Sequence, residues 1–253
     1  MMRALAASLM LIAGDAAVLA QGADIEPLAD VAGKAPPEFR GTLPDKIDLS
    51  ATMPPPRAQA NTSTCVSWAV TYAAGSQAVR RSGLGPVILS PAFSYNQISG
   101  DRYCRSGTRI SKTLDLLRDV GALPVDRFVF DAGWCGRLPT QAERQAAAKY
   151  RIKGWHAFDA KDIAAVKTQL ARGAPVIFAM RVGGKMRAHR GDGVFHGDET
   201  VLSGHAMVAV GYDEARKAFQ IQNSWGRSWG DGGLGWFGYD FWRAKVGAGF
   251  VID

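Results

Sequence analysis

The separation of helical and strand-like segments along the chain constrains the fold more than any other feature. Segments with apolar residues at helical spacing fill the first two thirds, and segments typical of strands follow Pro175. Helices are predicted to open at Thr62–Thr64, Ser90, Ser111 and Asp159, with a further one over 141–150, and strands over 176–182, 206–212 and 219–223. Because helices and strands are not interleaved, the sequence predicts an α+β fold with two lobes rather than βαβ units. The helical lobe is expected at about residues 60–150 and the β-rich lobe at about 151–253.

Composition excludes several classes of protein. The 253 residues are 47% hydrophobic, which is too apolar for a disordered chain. Three cysteines are too few for a disulfide-built miniprotein or a four-cysteine zinc module. The net charge of +7 is spread out, since no run of Lys and Arg exceeds two residues, so no nucleic-acid partner is predicted.

The first twenty residues have the features of an export signal. Arg3 supplies a positive charge, residues 4–13 are apolar, and residues 18–20 form a small-residue cleavage pattern before Gln21. Asp15 interrupts the apolar stretch, which is too short to span a bilayer. We therefore predict a secreted or periplasmic protein without stable membrane insertion.

Residues 21–42 are predicted to form an extended arm that lies over the domain at 43–253. The region is rich in Pro and Ala, with consecutive prolines at Pro36 and Pro37. Such a segment is too short to fold as an independent inhibitor. It is a candidate for blocking the site before activation.

Cys65 stands where the first long helix is predicted to start. A helix N-terminus carries partial positive charge and unpaired N–H groups, which favour the thiolate, the form of cysteine that attacks carbonyls. The alternative is a buried cysteine that acts only as a small apolar residue.

Three further residues could complete a site around such a nucleophile. His205, preceded by Gly204 in a predicted strand, is a candidate base, and the glycine leaves room for a substrate backbone. Asn223 could orient the imidazole, with Trp225 covering the bond, and Gln59 could donate a hydrogen bond to an oxyanion. Taken singly, His205 could be a core histidine and Asn223 could be a turn residue. Gln59 alone gives no indication of function.

Together these residues give the chain a resemblance to the papain-like cysteine peptidases over about residues 43–252. His205 lies 140 residues after Cys65 and Asn223 lies 158 after it, in the order that this family has. The matching stretches are Gln59-x5-Cys65 with Trp68-Ala69, Gly204-His205-Ala206 with Val210-Gly211-Tyr212, and Asn223-Ser224-Trp225-Gly226 with Trp229-Gly230. An alignment that makes Ser67 the nucleophile is rejected, because Gln59 then lies eight residues before the nucleophile rather than six.

The resemblance implies a papain-like fold with a helical N-terminal lobe, a β-barrel-like C-terminal lobe and the active site in the cleft between them. It implies Cys65 as nucleophile, His205 as base and acid, Asn223 as orienter and Gln59 as oxyanion donor. Peptide or protein substrates would be hydrolysed through a thioester. An acyltransferase with the same residues and a degenerate peptide-binding protein on the same fold are the alternatives.

Cys104 and Cys135 are expected to form a disulfide in an exported protein. The alternative is a metal site with His156, or with His189 and His196. No two Cys or His stand at C-x2-C or H-x3-H spacing, so we predict neither metal nor cofactor. His189 and His196 lie in a Gly- and Arg-rich loop and are expected to be solvated.

Overall fold

A computed structural model describes residues 22–33, 35–197 and 201–253, so the predicted export signal at 1–20 lies outside the described residues. The fold is α+β, as predicted. Nowhere in the described ranges is there a helix with the length and apolar character needed to cross a membrane.

The helical part is built around one long helix that begins at Cys65. It comprises α2 (Cys65–Ser67), a π-helical segment (Trp68–Gly75), α3 (Ser76–Val79) and a second π-helical segment (Arg80–Leu84). Its first fifteen residues, 65–79, are all buried and its last five, 80–84, are exposed, so packing on all sides rather than an amphipathic pattern holds the buried part. The other helices are α1 (Leu28–Val31), α4 (Pro91–Ile98), α5 (Ile110–Asp119), α6 (Gln141–Ala147), α7 (Ile163–Ala171), α8 (Gly184–Ala188) and α9 (Tyr239–Lys245).

One eight-stranded sheet forms the other part of the protein. Its strands are β1 (Lys46–Asp48), β2 (Trp155–Asp159), β3 (Val176–Val182), β4 (Val194–Phe195), β5 (Ser203–Asp213), β6 (Ala218–Gln222), β7 (Leu234–Gly238) and β8 (Ala248–Ile252). The order is β2-β8-β3-β5-β6-β7-β4, with β1 also paired to β5. The sheet is not closed among the described residues. The expectation of a β-barrel-like lobe is therefore corrected to an open, mostly antiparallel sheet.

The sheet separates two apolar cores, because successive side chains of a strand point to opposite faces. On β5, Ala206, Val208 and Val210 join the core that contains the long helix. Met207 and Ala209, which alternate with them, join the second core with residues of α7 and α9. The long helix is thereby packed against the middle of the sheet.

Two local predictions are corrected. The helix expected to open at Asp159 begins at Ile163, and its cap is Asp162, whose carboxylate accepts from the N–H groups of Ala164 and Ala165. His189 is half-buried between Phe195 and Trp229 rather than solvated, whereas His196 is exposed.

The predicted disulfide between Cys104 and Cys135 is present. Because the two cysteines are bonded to each other, neither is a free thiol that could ligate a metal as the alternative requires. The Cys104 carbonyl accepts a hydrogen bond of 2.6 Å from the N–H of Ser63, two residues before Cys65. The disulfide therefore supports the loop that adjoins the start of the long helix.

We predict that reduction of this disulfide lowers the free energy of unfolding by about 2–4 kcal/mol, because it closes a loop of 31 residues in the unfolded chain. Urea unfolding with and without reductant measures the change. The Cys104→Ser/Cys135→Ser protein should unfold at one urea midpoint in both conditions, and Cys65→Ala should remain as sensitive to reductant as the original chain. An unchanged midpoint for the original chain would contradict the prediction.

Candidate active site

Cys65 is the first residue of the long helix and is fully buried. The backbone N–H groups of Ala206, Gly22 and Val66 hydrogen-bond to its thiol and favour the thiolate. Burial has the larger effect and raises the pKa of the Cys65 thiol to about 11. In this conformation of the chain the group at the helix start is a neutral thiol.

The pairing of β5 with β6 brings His205 and Asn223 together. His205 lies on β5, and Asn223 follows directly on β6, the neighbouring antiparallel strand. His205 Nε2 lies 2.7 Å from Asn223 Oδ1. Because an amide oxygen only accepts, Nε2 carries the hydrogen and Nδ1 has the free lone pair. Within the described ranges Nδ1 is buried and has no hydrogen-bond partner.

The ring of Trp225 covers the His205–Asn223 pair. The indole and imidazole are stacked, with ring centroids 4.5 Å apart and planes 19° apart. The guanidinium of Arg187 lies 5.8 Å from the centroid of the Trp225 ring. This cover excludes water, and burial lowers the pKa of His205 to about 4, although the bond to Asn223 raises it and the charge of Arg187 lowers it slightly.

Gln59 is fixed beside the same elements. Its side-chain oxygen accepts a 2.6 Å hydrogen bond from the hydroxyl of Ser224, and its nitrogen donates to the carbonyl of Thr62 at 2.7 Å. An amide nitrogen carries two hydrogens, so one donor remains after the bond to Thr62. Gln59 thus links the turn after β6 to the segment that leads into Cys65.

The four residues singled out in the sequence are therefore brought to one place. The N–H of Ala206, the neighbour of His205 in the chain, reaches the Cys65 thiol. The His205 side chain forms a hydrogen bond with that of Asn223, and the Ser224 hydroxyl donates one to the Gln59 side chain. Among the described residues no group of three or more His, Cys, Asp or Glu side chains that could hold a metal is found.

The arm crosses this site, a feature that the sequence raised only as a possibility. The Gly22 N–H reaches the Cys65 thiol, and the Gly22 carbonyl accepts a 2.7 Å bond from the N–H of Thr108. Ala23 donates to the Gly204 carbonyl at 3.3 Å, and Asp24 donates to the Thr108 carbonyl at 3.0 Å. Residues 22–24 therefore lie as a short extended strand between the loop at Thr108 and the start of β5.

Glycine is required where the arm and the walls approach. A Cβ on Gly204 would lie 2.2 Å from the Ala23 carbonyl oxygen, and a Cβ on Gly22 would lie 2.0 Å from that of Ser63. The prediction that Gly204 leaves room for a polypeptide backbone beside His205 agrees with this geometry. Thr108 was missed by sequence reasoning because its contribution comes from backbone groups, which every residue has.

Comparison with known proteins agrees with this geometry. The model of the papain family of cysteine proteases matches residues 43–241. An uncharacterised peptidase C1-like protein of Acanthamoeba polyphaga mimivirus is 25% identical over 191 residues, which cover 68% of this chain and 60% of the relative. Germination-specific cysteine protease 1 of Arabidopsis thaliana is 34% identical over 84 residues, 32% of this chain and 22% of the relative. The matches thus span less than two thirds of these curated relatives.

A solved structure extends the likeness to the fold. Xylellain, a cysteine protease from Xylella fastidiosa, superposes with a TM-score of 0.77 over 92% of this chain and 95% of its own, at 24% sequence identity. Since the family model covers most of the chain, this chain belongs to the papain family of cysteine proteases.

Proposed function

We propose that this chain hydrolyses peptide bonds with Cys65 as nucleophile, His205 as base and acid, Asn223 as orienter and Gln59 as oxyanion donor. The observation that carries the proposal is the 2.7 Å bond from His205 Nε2 to Asn223 Oδ1, which leaves Nδ1 as the basic nitrogen, while the next residue, Ala206, contacts the Cys65 thiol through its backbone. This is the relation of base and orienter that cysteine nucleophiles require.

In the first half of the reaction Nδ1 of His205 takes the thiol proton, and the sulfur adds to the substrate carbonyl. The second N–H of the Gln59 side chain and the backbone N–H of Cys65 are the donors for the oxyanion that forms. His205 then gives its proton to the leaving amine, and the acyl group remains on sulfur as a thioester. In the second half His205 takes a proton from water, which attacks the thioester; the C–S bond breaks, the acid is released, and His205 returns the proton to the sulfur of Cys65.

The proposed domain organisation places the arm at 21–42 before a catalytic domain at 43–253. The arm's contacts support a blocking role. Gly22 covers the nucleophile, and Ala23 occupies the space beside Gly204. Cys65 is fully buried while the arm is bound, and burial favours the neutral thiol more strongly than the Gly22 N–H favours the thiolate, so displacement of the arm should open the site and, by admitting water, lower the pKa of the nucleophile.

Export from the cytoplasm is part of the proposal. It is supported by the signal-like residues 1–20, which lie outside the described residues, and by the Cys104–Cys135 disulfide, a bond typical of oxidising compartments.

We predict that Gly22→Ala activates the protein. The added methyl group collides with the carbonyl oxygen of Ser63 and displaces the arm. Each unit by which the Cys65 pKa then falls raises the thiolate fraction near neutral pH about tenfold, and because a less basic thiolate is a weaker nucleophile, alkylation by iodoacetamide should accelerate roughly threefold per unit, and further as the sulfur becomes exposed. Gly33→Ala is the matched control, because nothing lies within 4 Å of a Cβ there. Equal labelling rates in the two variants, or unchanged peptidase activity after deletion of the arm, would exclude a blocking arm.

The residue roles are tested in the Gly22→Ala protein with a library of fluorogenic peptides. Cys65→Ala should abolish hydrolysis, His205→Ala should also slow alkylation of Cys65, and Gln59→Ala should lower kcat roughly 100-fold. His156→Gln, a change at a histidine paired with Asp253, is the control. Alkylation of Cys65 at the rate of an ordinary exposed thiol, unaffected by His205→Ala, would favour the degenerate binding protein. Product capture by added amines without hydrolysis would favour the acyltransferase.

The pKa of His205 predicts a pH dependence of stability. In the unfolded chain the imidazole takes a proton near pH 6.5, but in the folded chain not until about pH 4. The unfolded state therefore binds more protons between these values. Its extra protons lower the free energy of unfolding by up to about 3 kcal/mol as the pH falls. Urea unfolding from pH 7 to pH 4 should show a steeper loss in the original chain than in His205→Gln. Parallel pH profiles would contradict the prediction.

A further inference from the structure

The arm makes a second polar contact with the catalytic domain, away from Cys65. The carboxylate of Glu26 accepts hydrogen bonds from both the backbone N–H and the hydroxyl of Ser111; the bond from the N–H is 3.1 Å long. Glu26 and Ser111 are each half-buried. The contact therefore joins a charged group to two donors in a partly desolvated place, where such bonds are stronger than between neutral groups.

The donors belong to the first turn of α5. Arg109 is the N-cap residue of this helix but makes no side-chain hydrogen bond to it, so the helix has no cap from its own residue at that position. The Glu26 carboxylate supplies the missing acceptor. It also lies at the positive end of the ten-residue helix dipole. The structure thus shows a carboxylate bound at this turn.

This bound carboxylate lies on the path of a polypeptide through the cleft. The arm is held at Gly22 by the Cys65 thiol and at Asp24 by the backbone of Thr108, and Glu26 follows two residues later. Four extended residues span about 13 Å, so the first turn of α5 is within reach of a peptide whose scissile bond lies at Cys65. The close approach at Gly204 accommodates a backbone and not a side chain.

The surroundings leave room for a ligand side chain. Glu26, Arg109 and Ser111 all line a cavity of about 540 Å³. The Asp115 carboxylate in the same cavity accepts from Trp155 Nε1 and pairs with Arg118. The exposed Arg109 adds a positive charge next to Ser111. A carboxylate bound there is thus met by donors and a cation, and Asp115, the acid that the domain contributes to the cavity, is already engaged by Trp155 and Arg118.

We propose that Ser111 and Arg109 form a specificity subsite for an acidic side chain of the substrate, about four residues from the scissile bond, and that Glu26 of the arm occupies this subsite in the blocked protein. The inference rests on the proposed function and deepens it. It predicts that the cleft prefers an acidic side chain at this subsite, and it explains why Glu26 of the arm lies there. The arm runs parallel to the segment at Thr108, and a substrate could run either way, so both sides of the scissile bond are tested.

The test uses the full chain with Gly22→Ala and Glu26→Gln, which displace the arm from both anchoring points. Paired fluorogenic peptides carry Glu or Gln at each position from two to five residues on either side of the scissile bond. At one position Glu should raise kcat/KM roughly tenfold over Gln, as expected of a charged hydrogen bond. Ser111→Ala removes the hydroxyl donor but keeps the backbone N–H, so it should lower that ratio, and Ser111→Ala combined with Arg109→Gln should lower it furthest. Lys112→Gln, an exposed cation of the same helix, is the control that should keep the ratio.

A binding measurement separates failure of this inference from failure of the proposed function. A labelled peptide of residues 22–31 should bind the same variant about tenfold more tightly than its Glu26→Gln counterpart, by fluorescence anisotropy, and Ser111→Ala should reduce this difference. If no peptide is hydrolysed but this difference holds, the proposed function fails and the acidic subsite stands. Hydrolysis with no preference for Glu at any position, or equal binding of the two peptides, would overturn the subsite.

Discussion

The antiparallel pairing of β5 with β6 is the constraint on which the candidate site depends. It sets the start of β5 beside the end of β6, and so fixes the distance between an imidazole and an amide that lie 18 residues apart in the chain. The same strand β5 packs its alternate residues against the long helix. One strand thus holds the proposed base, and residues of the same strand pack against the helix whose first residue is the proposed nucleophile. Displacement of β5 would separate all of these groups at once.

Burial of the site determines the protonation of both reactive groups. The thiol and the imidazole are desolvated, which disfavours the charged form of each, and the pKa values move apart to about 11 and about 4. A thiolate–imidazolium pair is therefore disfavoured while the arm covers Cys65. The backbone N–H groups of Ala206 and Val66, which lower the pKa of the Cys65 thiol, belong to the domain and not to the arm.

Much of the arrangement could be predicted from residue patterns, and the misses have physical causes. The long helix, the helix over 141–150 and the strand over 176–182 follow from periodicity and turn residues. The Asp159 helix start was placed too early because two aspartates, Asp159 and Asp162, offer the same capping chemistry, and only the backbone decides which is used. Strand β2 lies at the edge of the sheet and shows no alternation, so its pattern is weak. The open sheet depends on long-range pairing that no local pattern reports. The bond between Glu26 and Ser111 spans 85 residues and has no local signal either.

The direction of the contact between the arm and the sulfur has one more consequence. What Gly22 offers to Cys65 is a hydrogen on nitrogen, whereas its carbonyl is turned to the N–H of Thr108. The bonds that hold residues 22–24 are thus made by backbone groups, so substitution of the Ala23 or Asp24 side chain would leave each of these donors and acceptors in place.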